Sequence, residues 1–211
     1  MIQKILSRNK RTFVEYNKFR KTIFSELAPE ESEAVLYLLP WLLSINDPAC
    51  PGYVEDINRP FKVFNIDNDK EIMKRERGFL DRFGIQKKRT LLKQKAQYYL
   101  IQGLYTIGSV GSASQTSNSD CDIWVCIDKK EFDRTAWIQL NQKINLIKDW
   151  MDMKLKMPVY FFISDVTAIK ECSFGSVDSE SSTSSNMVTT VDQINRLCSW
   201  DLPHPAVSPS E

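Results

Sequence analysis

Apolar side chains in the first part of the chain recur at intervals typical of helices. Over residues 2–27 they alternate with lysines, arginines and glutamates at roughly helical spacing, which predicts an amphipathic helix. Pro29 is followed by two glutamates and fits the first turn of a second helix. This helix should run towards Leu43, with Pro40 bending or interrupting it. The first 44 residues are therefore predicted to be mainly helical.

An irregular segment and a third helix are predicted next. Residues 47–60 contain three prolines and a glycine, a composition typical of a connection without regular structure. Residues 61–66 predict a short extended piece. Helical spacing returns over residues 69–83, and Gly84 follows where a helix C-terminus favours glycine.

The pattern then changes to short runs of branched and aromatic residues, which predict strands. Ser and Thr dominate the loop between the first two of these runs, and one long amphipathic stretch precedes the third. The predicted order is strand, polar loop, strand, helix and strand, at residues 98–107, 110–119, 120–127, 130–157 and 159–163.

The last forty residues lose most of this patterning. Residues 173–185 are rich in serine and predict a loop or disorder, residues 188–197 predict one more helix, and residues 201–211 look unfolded. We divide the chain into an N-terminal helical region (1–95), an α+β core (96–198) that we expect to be incomplete, and a disordered tail (199–211).

Composition limits the classes of function. A chain of 211 residues with 42% hydrophobic residues can bury the core of one ordinary α/β domain with some additional helices. The formal charge of +1 gives no global field to attract nucleic acid or an anionic membrane. Five widely spaced cysteines without a CxxC pair indicate free thiols, and neither a signal peptide nor a membrane span is evident. We expect a cytoplasmic protein with no nucleic-acid partner.

Two aspartates provide the first candidate chemistry. Asp120 and Asp122 lie two residues apart in a predicted strand, so both carboxylates should project from one face. At about 4 Å, two such charges repel by roughly 4 kcal/mol at an effective dielectric near 20, which favours a cation between them. Oxygen ligands without histidine or cysteine favour Mg²⁺.

A glycine and a serine end the preceding strand. Gly108 allows the backbone to approach a phosphate closely, and Ser109 offers a hydroxyl and an amide as donors. Taken alone, these motifs are also compatible with a structural β-turn-β without any ligand.

The spacing of these motifs is similar to that of polymerase-β-like nucleotidyltransferases. That superfamily has Gly-Ser after one strand and Asp-x-Asp on the next, in a small mixed sheet flanked by helices. The resemblance implies a third acid on a later strand, and Asp165 at the end of the third predicted strand is the candidate. Asp120, Asp122 and Asp165 would then be the metal ligands and the catalytic residues.

Longer segments resemble class I bacterial adenylate cyclases, in the N-terminal part of those enzymes. The likeness extends from about residue 10 to 197 and keeps its order and spacing. Its main segments are YLLP (37–40), PGY (51–53), GLYTIGS (103–109), SDCDIWVC (119–126) and VYFFISD (159–165).

This resemblance implies conversion of ATP to 3′,5′-cyclic AMP and pyrophosphate with Mg²⁺. Gly108 and Ser109 would hold the terminal phosphates. Trp124 would lie on the aspartate face and pack against the nucleotide, although a core tryptophan covered by the N-terminal helices explains it equally well. Lys93 and Lys95 precede the first strand and would reach the triphosphate, unless they are simply solvated.

The chain departs from the class I pattern near its end. Class I cyclases are much longer, and residues 201–211 contain no lysine or arginine where a basic stretch is expected. We therefore expect a truncated form with weak activity, whose regulatory protein partner would bind through the missing C-terminal region. Two alternatives stay open: a nucleotidyltransferase that moves AMP to another acceptor, and a non-catalytic remnant that binds a nucleotide or a partner.

Overall fold

The computed structural model describes residues 2–57, 60–86, 92 and 99–170. Predictions for Lys93, Lys95, the serine-rich segment and the tail lie outside these residues.

The first part is helical, as predicted. Helix α1 spans Ile2–Leu27, α2 spans Pro29–Glu33, and α3 spans Leu39–Ser44. Between α2 and α3 the chain makes a π-helical turn, Ala34–Leu38. Pro40 follows in the first turn of α3, where the missing backbone donor costs least, so the α-helical pattern is interrupted just before the proline as expected.

The next elements follow the predicted boundaries less closely. Residues 61–66 form only an isolated parallel bridge, between Val63 and Ile101, and do not form a regular strand. Helix α4 spans Lys70–Arg82, and the Asp69 carboxylate accepts hydrogen bonds from the backbone of Glu71 and Ile72 at its N-terminus. Gly84 has φ of +68° directly after the helix, as the sequence predicted for this position.

Three strands form one mixed sheet. Strand β1 (Ile101–Ile107) pairs antiparallel with β2 (Cys121–Ile127), which pairs parallel with β3 (Val159–Asp165). Helix α5 (Arg134–Lys154) connects β2 to β3, and the short α6 (Val166–Lys170) follows β3. Helices beside a small mixed sheet confirm the α+β prediction.

The two faces of the sheet are covered differently. Residues 121, 123, 125 and 127 of β2 are buried in the main core together with apolar side chains of α3, α4 and α5. The opposite face carries a smaller cluster formed by Cys126, Val166 and Ile169. This second face, which includes Asp122 by strand alternation, is therefore covered in part by α6.

A buried lysine joins the irregular segment to the core. Lys143 of α5 is 1% exposed, and its Nζ donates to the carbonyl oxygens of Ile45 (2.6 Å) and Gly52 (2.8 Å). Burial lowers the pKa of this amine to about 7. The N-terminal helices and the sheet thus share one core, with the segment between them fixed to α5.

Among the described residues, no helix has both the length and the apolar composition that crossing a bilayer requires.

Candidate functional site

The strand register brings the Gly-Ser turn and the aspartates to one end of the sheet. Ile107, the last residue of β1, lies opposite Asp122 near the start of β2. Gly108 and Ser109, which follow Ile107, therefore lie directly beside Asp120 and Asp122. This proximity follows from a simple antiparallel pair, in which the end of one strand meets the start of the next.

The turn itself has the features that close backbone approach requires. Gly108 adopts φ of +89°, a conformation that favours glycine, and an added Cβ would meet no atom within 4 Å. The Ser109 hydroxyl donates to the Ser119 hydroxyl at 2.9 Å, which links the turn to the residue before Asp120. The Ser109 carbonyl accepts from the amide and hydroxyl of Ser112, so the turn is stabilised from within.

An arginine of α1 holds the turn from outside, and the sequence analysis did not identify it. The Arg20 guanidinium donates to the carbonyl oxygens of Gly108 (3.3 Å) and Val110 (3.2 Å from Nε). Because a trans peptide directs its N–H opposite to its C=O, the Ser109 amide points away from α1. Arg20 thus sets the orientation of the peptide that offers this donor.

The two aspartates are close enough to interact electrostatically. Asp120 lies one residue before β2 and is exposed, whereas Asp122 is half-buried. Burial, followed by the negative charge of Asp120, raises the pKa of the Asp122 carboxyl to about 6. A cation at this place would relieve both effects.

The thiol between the aspartates is not a candidate ligand. Cys121 is fully buried on the core face, and burial, assisted by the charges of Asp122 and Asp120, raises its pKa to about 12. Cys50 and Cys126 are also free and buried, in agreement with the prediction of free thiols for the cysteines that the structure describes.

The prediction that Asp165 shares a metal with Asp120 and Asp122 does not agree with the structure. Asp122 pairs with Tyr160, and Asp165 lies five residues further along β3, about 16 Å away in an extended strand. Asp165 also pairs with Ile127, whose side chain lies on the core face. Its carboxylate accepts hydrogen bonds from the backbone of Lys129 and Thr167, which gives it a structural role at the start of α6.

Trp124 lies on the face of Asp122, as predicted. It packs against the small cluster of Cys126, Val166 and Ile169. Contact between Trp124 and a nucleotide stays a prediction. Lys95, the other predicted ligand, lies outside the described residues.

The oxygen donors that the structure brings together fit a magnesium site with few protein ligands. Within residues 2–57, 60–86, 92 and 99–170, no group of three or more His, Cys, Asp or Glu side chains is arranged to hold a metal. Mg²⁺ commonly takes one or two carboxylates and completes its octahedron with waters and substrate phosphates. Asp120 and Asp122, beside a turn suited to phosphate, match that pattern.

Comparison with known protein families shows to which family the chain belongs. The family model described as the adenylate cyclase NT domain matches residues 5–196. The chain belongs to this family. The matched range includes Gly108, Ser109 and both aspartates of the site, and the predicted resemblance to class I adenylate cyclases is confirmed.

Individual adenylate cyclases show the same relationship. The chain is 32% identical over 138 residues to the adenylate cyclase of Haemophilus influenzae, covering 62% of the chain and 16% of that protein. It is 29% identical over 164 residues to that of Escherichia coli K12 and 29% over 170 residues to that of Yersinia pestis, in each case covering 78% of the chain and 18% of the relative. The matched part of the chain therefore covers less than a fifth of the length of these adenylate cyclases. No solved structure matches it, so the nucleotidyltransferase relationship rests on the motifs alone.

Proposed function

We propose that this chain binds ATP with Mg²⁺ and is the nucleotide-binding part of an adenylate cyclase that forms cyclic AMP and pyrophosphate. The observation that supports this most is the convergence of the Gly108–Ser109 turn and the Asp120–Asp122 pair at one end of the sheet. The named relatives are adenylate cyclases, which supports ATP as the nucleotide.

The proposed roles follow from the position of each group. Gly108 leaves room for phosphate oxygens, and the Ser109 amide and hydroxyl donate to them, with the hydroxyl released from Ser119. Asp120 and Asp122 would hold Mg²⁺, which supplies neutralisation of the charge that develops on the phosphates. In this reaction the ribose 3′ oxygen bonds to the α-phosphorus, pyrophosphate leaves, and the hydroxyl proton is released.

Substrate positioning sets the expected activity. In this proposal, the described residues would contact the nucleotide from one side only, at the sheet end and along the face that includes Asp122. Alignment of the 3′-hydroxyl with the α-phosphorus requires groups on the opposite side as well, and loss of alignment alone lowers rates by orders of magnitude. We expect the isolated chain to bind Mg-ATP and to turn it over slowly.

Isothermal titration with a non-hydrolysable ATP analogue, with and without Mg²⁺, tests the proposal. The double variant Asp120→Asn, Asp122→Asn should lose Mg-dependent binding at least tenfold. Asp165→Asn is the matched control, because it makes the same chemical change at the other end of the sheet and should leave the affinity unchanged. Equal affinities for the wild type and the double variant would reject the metal site.

Product analysis separates the proposed reaction from its alternative. Cyclic AMP with pyrophosphate supports a cyclase, whereas labelled AMP on another acceptor supports a different nucleotidyltransferase.

A further inference from the structure

Two exposed aromatic side chains lie on the sheet face that includes Asp122. In the parallel register, Tyr160 of β3 is the partner of Asp122, and Phe162 is the partner of Trp124. Tyr160 is 45% exposed and Phe162 is 39% exposed. Since paired residues share a face, both rings belong to the same surface as the candidate metal ligand.

The cover provided by α6 ends before these rings. Val166 and Ile169 pack with Cys126, and Tyr105, Ile107 and Trp124 surround them. All the strand residues of that cluster belong to β1 and β2, so Tyr160 and Phe162 of β3 lie outside it in the part of the chain that the structure describes. A solvated strand face normally presents polar side chains, so two adjacent exposed aromatics indicate a ligand or partner.

The distance from the carboxylate suits the shape of a nucleotide. Neighbouring strands are about 4.8 Å apart, and two residues along a strand add about 6.6 Å, so Phe162 lies roughly 8 Å from Asp122 between backbone positions. A ribose separates the base of a nucleotide from its α-phosphate. A base whose phosphates lie at Asp120 and Asp122 therefore comes to rest one or two residues along the sheet, where Phe162 is located.

The strand is held firmly enough to act as a fixed platform. All seven residues of β3 pair with β2, and α5 packs behind the sheet through the main core. Lys148 of α5 places its Nζ 5.8 Å from the centre of the Tyr160 ring, which holds this ring at the sheet edge. Phe162, further along the same face, is left as the main ring available for stacking.

We propose that Phe162, assisted by Tyr160, forms a stacking surface for the nucleobase of the bound nucleoside triphosphate. This inference rests on the proposed function of the site and adds the residues that recognise the base. Stacking of a base on an aromatic side chain commonly changes affinity by about tenfold or more. The surface thus distinguishes a nucleotide from a bare polyphosphate.

Titration of the 211-residue chain with two ligands tests the inference. One ligand is the non-hydrolysable ATP analogue with Mg²⁺, and the other is inorganic tripolyphosphate with Mg²⁺, which lacks a base. Phe162→Ala should weaken the analogue about tenfold and leave tripolyphosphate unchanged, while Phe162→Trp should retain affinity for both. Phe64→Ala is the matched control, because Phe64 is similarly exposed at 42% and lies outside this surface.

Asp122→Asn should give the complementary result, with both ligands weakened. Circular dichroism and melting of each variant show that the fold is retained. Equal effects of Phe162→Ala on both ligands, or no effect on either, overturn the stacking surface and leave the metal site intact. Failure of the wild type to bind either ligand overturns the proposed function and the stacking surface together.

Discussion

Replacement of Asp122 by asparagine is expected to stabilise the metal-free protein at neutral pH. The Asp122 carboxylate is half-buried beside the negative charge of Asp120, and these two causes raise its pKa from 3.8 to about 6. Asparagine keeps the shape of the side chain and removes the charge. The variant therefore loses an unfavourable feature of the folded state that a bound cation would otherwise offset.

The size of the effect follows from the pKa. One pKa unit corresponds to about 1.4 kcal/mol, so the full shift sets an upper bound of about 3 kcal/mol at neutral pH. Asp122 is only half-buried, and solvent screening reduces the expected gain to about 1–2 kcal/mol. For a chain of this size, that gain raises the melting temperature by roughly 3–6 °C.

The pH dependence gives the sharper test. The pKa of Asp122 is higher in the folded state than in the unfolded state. This carboxyl therefore does not lower the free energy of unfolding of the wild type below about pH 4, where it is protonated in both states, and it lowers that free energy as the pH rises through about 6. The advantage of Asp122→Asn should therefore be absent near pH 4 and complete above about pH 7. Thermal denaturation with a chelator across this range measures it.

Asp149→Asn, on the exposed surface of α5, is the control for loss of one negative charge and should change stability by less than about 0.5 kcal/mol. Millimolar Mg²⁺ should narrow the gap between the wild type and Asp122→Asn. An unchanged or lower melting temperature of the variant at pH 7.5, or an equal gain at pH 4, would refute the reasoning.

Three further predictions concern groups around the site and the core. In urea unfolding, the wild type should become about 2–3 kcal/mol more stable between pH 7 and 9, because the folded state binds fewer protons than the unfolded state through Lys143. Lys143→Met should not show this rise. Gly111→Ala should destabilise by 2 kcal/mol or more in thermal unfolding, since its Cβ would lie 2.5 Å from the Arg20 carbonyl oxygen, whereas Gly84→Ala, also at positive φ but in open space, should cost about 1 kcal/mol. Arg20→Lys should weaken Mg-dependent binding of the ATP analogue about tenfold in titrations, because one ammonium cannot reproduce the guanidinium fork; unchanged affinity would exclude a positioning role.

The local sequence pattern was sufficient to predict most helices and strands and half of the candidate site. Helix α1, helix α4 and the three strands lie where periodicity and capping residues predicted them. The closeness of Gly108 to Asp122 was also predictable, because the two belong to strands joined by a short loop. Such features depend on residues near each other in the chain.

Asp165 shows where this reasoning failed. The prediction placed it with the other acids because it ends a strand, without considering the direction of that strand. A strand, a helix and a second strand normally form a parallel crossover, which puts the end of β3 beside the end of β2, away from Asp122. The signal was present in the order of elements, and the error lay in not using it.

By itself, the sequence determined the family, the order of helices and strands, and the pairing of a glycine-serine turn with two aspartates. Tertiary structure decided the register of β3, the face that α6 covers, and the contact of Arg20 with the turn. Alternation along a strand specifies two faces but not which partner residue lies alongside, and a shift by one residue exchanges those faces. The packing of α1 against the turn likewise joins residues some ninety positions apart, and no local pattern encodes that contact.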